Sequence, residues 1–340
     1  MRYPKFLQEN GTIGFVAPSF GCNMEPYYSA FQNALKVWKG MGYKTSLGPN
    51  CFVGEGIGIS NKPGLCGKEL NDWYCDKNVD AIISCGGGEL MCEVVPHMDF
   101  ARMKEVEPKW YMGYSDNTNF TFLSATLMDT AAIYGPCAAS FGMEPWHPAI
   151  SDAWNLLCGK IDTVSGYGLW EKESLKDEEH PLAQYNVTEP TVIKKFPEAD
   201  VELEGRLLGG CMDILQMFPG TPYDKVKEFN EKYKEDGIIW FLEACDLNLM
   251  SIRRALWQYK EAGWFEHVKG FLIGRPLCMG QEMFGIDQYR AVTDLLAEYN
   301  VPIIMDLDIG HLSPMMPIIC GGTAKVSVKG NDVKIKYTYR

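Results

Sequence analysis

The sequence predicts an α/β protein of two domains, the first built on a parallel sheet covered on both faces. Three observations carry this. Several strand-length runs are apolar throughout rather than alternating, as strands buried on both faces are. These runs alternate with segments of helical periodicity, the pattern of βαβ units. The chain has 340 residues, and at about 150 residues per domain that length suggests two.

The elements follow in order. Residues 12–18 read as a short apolar strand ending in a turn, and 27–42 as a helix stopping at Gly42. Residues 80–85 form another apolar run, closed by Gly86-Gly87-Gly88, and a helical stretch follows to about Val95. Strands are expected at 109–113 and 131–135, with a helix at 117–128 between them. Residues 160–200 change character: charge, glycine and proline dominate, with Tyr167, Trp170 and Tyr185 interspersed. A stretch this long without clear elements reads as a crossover plus a functional excursion. Further on, apolar runs at 237–243, 268–273 and 301–305 alternate with helical patterns at 248–262 and 287–299. The end of the chain alternates at 324–328 and 333–337 around Lys329-Gly330-Asn331-Asp332, which predicts a terminal β-hairpin. The resulting division is an N-terminal domain over 1–160, a crossover and substrate loop over 161–200, and a C-terminal α/β domain over 201–340.

Composition removes whole classes of function. With 32 Lys and Arg against 44 Asp and Glu, the net charge is −12. Such a surface repels phosphate backbones, so a nucleic-acid polymer is not an expected partner. No apolar run approaches the roughly 18 residues of a membrane span. The first residues lack the apolar core of a signal peptide, so the expected location is the cytoplasm. The 12 cysteines contain no two-residue spacing, and His97, His147, His180, His267 and His311 include no i, i+4 pair. Neither a zinc knuckle nor a helical metal site is supported, and no metal or cofactor is expected. Neither Gly86-Gly87-Gly88 nor Gly54-Glu55-Gly56-Ile57-Gly58 meets the dinucleotide fingerprint, which disfavours a nucleotide-dependent oxidoreductase.

Four constellations could carry chemistry. Gly113-Tyr114-Ser115-Asp116-Asn117 stands where a strand gives way to a helix. A sharp turn there would lift the Ser115 hydroxyl above the sheet edge and leave the following N–H groups free, a nucleophile with part of an oxyanion hole. The same residues also suit a helix N-cap. Gly86-Gly87-Gly88 allows close backbone approach to a ligand, or is a plain βα turn. Glu243 ends the apolar run Trp240-Phe241-Leu242, at the sheet edge where α/β proteins bind ligands. It could orient a histidine, or be an exposed strand tip. His311 lies in a turn beyond the run 301–305, better placed for chemistry than a histidine on a helix face. Ser115, Glu243 and His311 thus fall in that chain order, each at a strand-to-loop transition, and would meet across the domain interface.

At these residues the sequence resembles the LD-carboxypeptidase and microcin C self-immunity (MccF-like) serine peptidases. The matching segments stand in family order: Thr12-Ile13-Gly14-Phe15-Val16-Ala17-Pro18-Ser19, Gly87-Gly88, Pro96-His97-Met98-Asp99-Phe100, Gly113-Tyr114-Ser115-Asp116-Asn117-Thr118 and Tyr134-Gly135-Pro136. Leu208-Gly209-Gly210-Cys211, Gly220-Thr221-Pro222-Tyr223, Phe241-Leu242-Glu243, Gly274-Arg275-Pro276 and Gly310-His311 with Pro314 complete them. The resemblance implies a Rossmann-like N-terminal domain, a smaller C-terminal α/β domain and a Ser–His–Glu hydrolase. Ser115 would be the nucleophile, His311 the base, Glu243 its orienting carboxylate, and the N–H groups of Gly88 and Asp116 the oxyanion donors. It also implies a cytoplasmic homodimer without metal or cofactor, acting on a small peptide or a peptidyl- or aminoacyl-nucleotide. Gly87, Glu89 and Trp170 are then the candidate substrate contacts. Glu93 stands where the LD-carboxypeptidase branch carries an arginine, and the 160–195 excursion is long, so the MccF-like branch is the more similar. There the excursion stacks on a nucleotide-like group, a role open to Trp170 or Tyr167; packing on its own domain is the other reading of Trp170. The alternatives are release of D-alanine from murein tetrapeptides, as an LD-carboxypeptidase, and a non-catalytic ligand-binding protein of the same fold.

Overall fold

The computed structural model describes residues 1–340. It is an α/β protein with two main sheets. The first has six strands in the order Ile318–Cys320, Ala132–Tyr134, Trp110–Gly113, Ala81–Ser84, Thr12–Val16, Lys44–Leu47. Five run parallel, and Ile318–Cys320 joins the edge antiparallel to Ala132–Tyr134. The central strands Ala81–Ser84 and Trp110–Gly113 are buried at every position, the physical reason for their unbroken apolar sequence. The helix Tyr27–Gly40 covers this sheet with Ala30, Phe31, Ala34 and Trp38, a stripe at helical spacing, and Gly42 with φ +90° turns the chain away.

The second sheet has eight strands: Thr163–Ser165, Asp332–Thr338, Thr323–Lys329, Val201–Cys211, Ile238–Glu243, Val268–Gly274, Ile303–Leu307 and Lys194–Phe196. Its four central neighbours from Val201–Cys211 to Ile303–Leu307 are parallel, and the terminal hairpin pairs Lys329 with Asp332 as its sequence predicts. Two elements depart from the sequence expectation. The stretch expected as a helix up to Val95 is two short 3₁₀ turns, Met91–Glu93 and Val95–His97, because Pro96 cannot donate to a continuing α-helix. The 161–200 segment supplies strands to both edges of the second sheet, Thr163–Ser165 and Lys194–Phe196, besides a small ribbon of Leu169–Trp170 and Glu189–Pro190.

The helix Thr118–Met128 lies between the two sheets and is buried on nearly all sides. Phe122 stacks on Phe218 at 5.8 Å and on Trp264 at 5.5 Å, and Thr118 Oγ1 accepts the Cys211 N–H at 3.0 Å. An all-round apolar helix is the sequence signature of such a position. It holds Ser115, three residues before its start, at the junction of the two sheets. No helix is long and apolar enough to cross a membrane.

Candidate active site

Ser115 follows the strand Trp110–Gly113 and has φ +61°, the left-handed region that a residue with a side chain rarely occupies. The contacts of Ser115 bear on the two readings of this turn. Ser115 caps no helix: Asn117 precedes Thr118–Met128 and makes no side-chain cap bond, while the Ser115 hydroxyl lies 2.9 Å from His311 Nε2. His311 Nδ1 in turn lies 2.9 Å from Glu243 Oε2. The strand Ile238–Glu243 ends with its carboxylate buried, 1% exposed, so Glu243 is no solvated strand tip. Gly310, with φ +105°, turns the chain so that His311 reaches it; a Cβ at that position would stand 2.5 Å from Glu243 Oε2. With the proton on Nδ1, the imidazole donates to Glu243 and accepts from Ser115, the geometry of a nucleophile, a base and its orienting acid.

The charges reinforce one another. Burial alone would lower the His311 pKa, but the Glu243 charge, its hydrogen bond to the ring and the neighbouring Cys245 thiol outweigh it and raise the imidazole well above its usual value. Burial would raise Glu243, yet the His311 charge, with hydrogen bonds from His311 and Tyr134 and the nearby Cys211 thiol, holds its carboxyl below the usual range. Each of the two charges thus favours the other.

The side-chain roles of several neighbours were not read from the sequence. Tyr134 donates its hydroxyl to Glu243 Oε1 at 2.5 Å and accepts the Ser115 N–H at 3.1 Å, tying the nucleophile turn of one sheet to the carboxylate of the other. Tyr134→Phe is expected to lower kcat about tenfold by leaving a buried carboxylate oxygen short of a donor. Steady-state kinetics on the folded variant checks this, and an unchanged kcat would confine Tyr134 to packing. Asp116, fully buried, accepts the Ser19 hydroxyl at 2.5 Å and the Met91 N–H at 3.0 Å on one oxygen, and Asn119 Nδ2 at 2.9 Å on the other. Burial outweighs these donors and pushes its pKa up to about 6. Its carboxylate thus joins the nucleophile turn to the loops on either side of the glycine turn. Asp308, three residues before His311, pairs with Arg275 in the interior and accepts the Tyr167 N–H at 2.6 Å, which anchors the excursion to the His311 turn.

The glycine turn lies against Ser115, where a Cβ on Gly87 would stand 3.3 Å from the Ser115 Cβ. Gly87 accepts the Phe20 N–H at 2.8 Å, whereas the Gly88 N–H has no acceptor within the molecule. A Cβ on Gly88 would collide with Ser19 Oγ, so only glycine fits there. The Asp116 N–H opens the 3₁₀ turn Ser115–Asn117, whose first N–H groups lack acceptors along the turn. Glu89 is exposed at the rim and binds the Gly58 carbonyl through its N–H at 3.0 Å; Glu93 is exposed as well. Trp170 is 9% exposed, with the Arg275 guanidinium 5.2 Å from its ring centroid and its indole N–H on the Pro190 carbonyl at 3.3 Å. Tyr167 is likewise engaged, donating its hydroxyl to Asp152 at 2.8 Å.

Residues 13–135 match the LD-carboxypeptidase N-terminal domain, and residues 204–326 match the LD-carboxypeptidase C-terminal domain. The chain belongs to this peptidase family. Within it, the chain is 24% identical over 285 residues to the microcin C7 self-immunity protein MccF of Escherichia coli, covering 80% of this chain and 78% of that one. Among solved structures, MccF in complex with aspartyl sulfamoyl adenosine superposes with a TM-score of 0.83 at 19% identity, over 99% of this chain and 98% of the other. An MccF-like protein from Bacillus anthracis superposes at 0.82 with 21% identity, over 99% and 100%. The fold of this LD-carboxypeptidase and MccF-like family member is thereby the one its sequence pattern predicts.

Proposed function

We propose that the protein is a serine peptidase that hydrolyses an amide bond in a small peptide or in a peptidyl- or aminoacyl-nucleotide. The observation that carries this reading is the continuous chain Ser115 Oγ, His311 Nε2, His311 Nδ1 and Glu243 Oε2, with 2.9 Å at each gap. Ser115 Oγ attacks the amide carbonyl while its proton passes to His311 Nε2. The oxyanion is held by the N–H groups of Gly88 and Asp116, and His311 then returns the proton to the departing amine. Water, deprotonated by His311, releases the acid from Ser115. Hydrogen-bond reach between nucleophile and base supports this over a non-catalytic binding protein of the same fold. The aminoacyl-nucleotide class is favoured by the structural neighbour bound to aspartyl sulfamoyl adenosine. The family name supports the second reading, release of D-alanine from a murein tetrapeptide. The twelve thiols are unpaired, several of them buried near one another, which suits a reducing cytoplasm; a homodimer is the assembly we propose.

A fluorophosphonate probe tests the chemistry directly. It should form a single adduct on Ser115, with loss of fluoride, and block hydrolysis of aspartyl sulfamoyl adenosine. Release of D-alanine from a tetrapeptide, measured side by side, decides between the two substrates. Hydrolysis that continues at full rate after labelling, or with Ser115 unlabelled, would overturn the mechanism.

A further inference from the structure

The peptide units that lead to the Gly88 N–H form a continuous relay. The Ser60 N–H donates to the Ser19 carbonyl at 2.7 Å. The Phe20 N–H, in the same peptide unit as that carbonyl, donates to the Gly87 carbonyl at 2.8 Å. The Gly87 carbonyl in turn shares its unit with the Gly88 N–H. The cis peptide bonds of this chain all precede prolines, so both units are trans, and in a trans unit C=O and N–H point in opposite directions. Each bond therefore passes its direction to the next, and the last, from Phe20 to Gly87, sets where the Gly88 N–H points. Bonds in such a chain also polarise one another, which makes the terminal N–H a stronger donor than an isolated one. On the far side of Gly88, the Glu89 N–H donates to the Gly58 carbonyl at 3.0 Å, so the glycine is fastened at both flanking peptides.

The relay is pinned at Ser19. This residue is fully buried, and its hydroxyl donates to Asp116 Oδ2 at 2.5 Å. The same oxygen accepts the Met91 N–H, three residues beyond Gly88, at 3.0 Å. A carboxylate this deep is costly unless hydrogen bonds complete it, and two of its donors come from the segments on either side of the glycine turn. Asn117 Nδ2 adds a bond to the Gly86 carbonyl at 2.8 Å, so two neighbouring side chains of the nucleophile turn hold the glycine turn. That turn lies against the nucleophile: a Cβ on Gly87 would stand 3.4 Å from Ser115 Oγ. Asp116 therefore acts twice. Its backbone carries one N–H beside Ser115, and its carboxylate, through Ser19, fastens the peptides that aim the other.

We propose that Ser19 is a positioning residue for the oxyanion: held by the Asp116 carboxylate, it aims the Gly88 N–H through the Phe20–Gly87 bond and keeps that donor in register with the Asp116 N–H. This rests on the hydrolase reading above for the place of the oxyanion, and it concerns the transition state rather than the binding of intact substrate.

Ser19→Ala removes the hydroxyl and leaves the backbone relay otherwise whole. Aspartyl sulfamoyl adenosine and a tetrapeptide ending in D-alanine serve as substrates, and a fluorophosphonate as a probe that depends on neither. Ser19→Ala is expected to lower kcat, and the rate of Ser115 phosphonylation, about 10–100-fold, somewhat less than outright loss of an oxyanion donor. KM should change less than about threefold, and so should the affinity of the same substrate for Ser115→Ala protein with and without Ser19→Ala, because only the transition state carries the oxyanion. The acid limb of kcat/KM should stay in place, since the bonds of His311 are untouched. Asp116→Ala should lose a similar factor, and Asp116→Asn, whose amide oxygen can still accept from Ser19 and Met91, should recover most of it. A loss of less than tenfold in folded Ser19→Ala, a loss matched in substrate affinity, a displaced acid limb, or an Asp116→Asn protein no faster than Asp116→Ala would overturn the proposal. Failure of the hydrolase reading looks different: wild type itself then neither labels at Ser115 nor hydrolyses either substrate, which removes the oxyanion and the role of Ser19 with it.

Discussion

Ser115→Ala is expected to lower kcat by about 10⁶-fold with substrate affinity changed only a few-fold, the scale on which a triad nucleophile acts. His311→Ala should cost a similar amount, and the double variant no more than either alone, because the two residues act as one unit. The reason lies in the geometry. Ser115 is held at φ +61° on a turn that the Tyr134 hydroxyl fastens through the Ser115 N–H, so the Oγ has one productive direction, toward His311 Nε2. A hydroxyl is a weak nucleophile until a base takes its proton, and no other base stands within the same reach. The residual rate above water would come from the N–H groups of Gly88 and Asp116 and from substrate positioning. Single-turnover kinetics with purified variants measures this, and a Ser115→Ala protein within tenfold of wild type would show that the chemistry lies elsewhere.

What the sequence made visible follows from burial. Strands such as Ala81–Ser84, Trp110–Gly113 and Ile238–Glu243 are covered on both faces, and that requirement writes itself into an unbroken apolar run. Lys44–Leu47 left no such trace, because it is an edge strand with largely exposed side chains. The helix Pro63–Cys75 was hidden by its Pro-Gly start and its weak apolar stripe. Ile318–Cys320 returns from the far end of the chain to pair with Ala132–Tyr134, a contact that no local pattern encodes. The site divides in the same way. Ser115, Glu243 and His311 were legible because each breaks a pattern at a strand end. Tyr134 was not, because Ala-Ile-Tyr in a strand reads as core until the second sheet brings Glu243 against its hydroxyl.

Glu243→Gln is expected to lower kcat by about 10⁴-fold, less than loss of Ser115, and to move the pH dependence at the same time. In wild type His311 is raised well above its usual value by Glu243, against the lowering effect of its own burial. A base must be neutral to accept the Ser115 proton, so kcat/KM should fall as pH falls through this raised value. The acid limb therefore lies above the ordinary histidine value of about 6.5. A glutamine keeps the shape of the side chain but removes the charge, which leaves burial as the dominant influence and shifts the limb to lower pH. It can also present its NH₂ to Nδ1 and favour the wrong tautomer, which is why the rate falls even where the imidazole is neutral. Stability carries the same sign. A histidine whose pKa is raised by folding contributes stability that is fully present below about 6.5 and is lost as pH rises through the folded value. Thermal unfolding of wild type should thus lose stability across that alkaline window, and Glu243→Gln should flatten the slope there. A kinetic limb and a stability slope that both stay in place in Glu243→Gln would remove Glu243 as the group that sets the charge of His311.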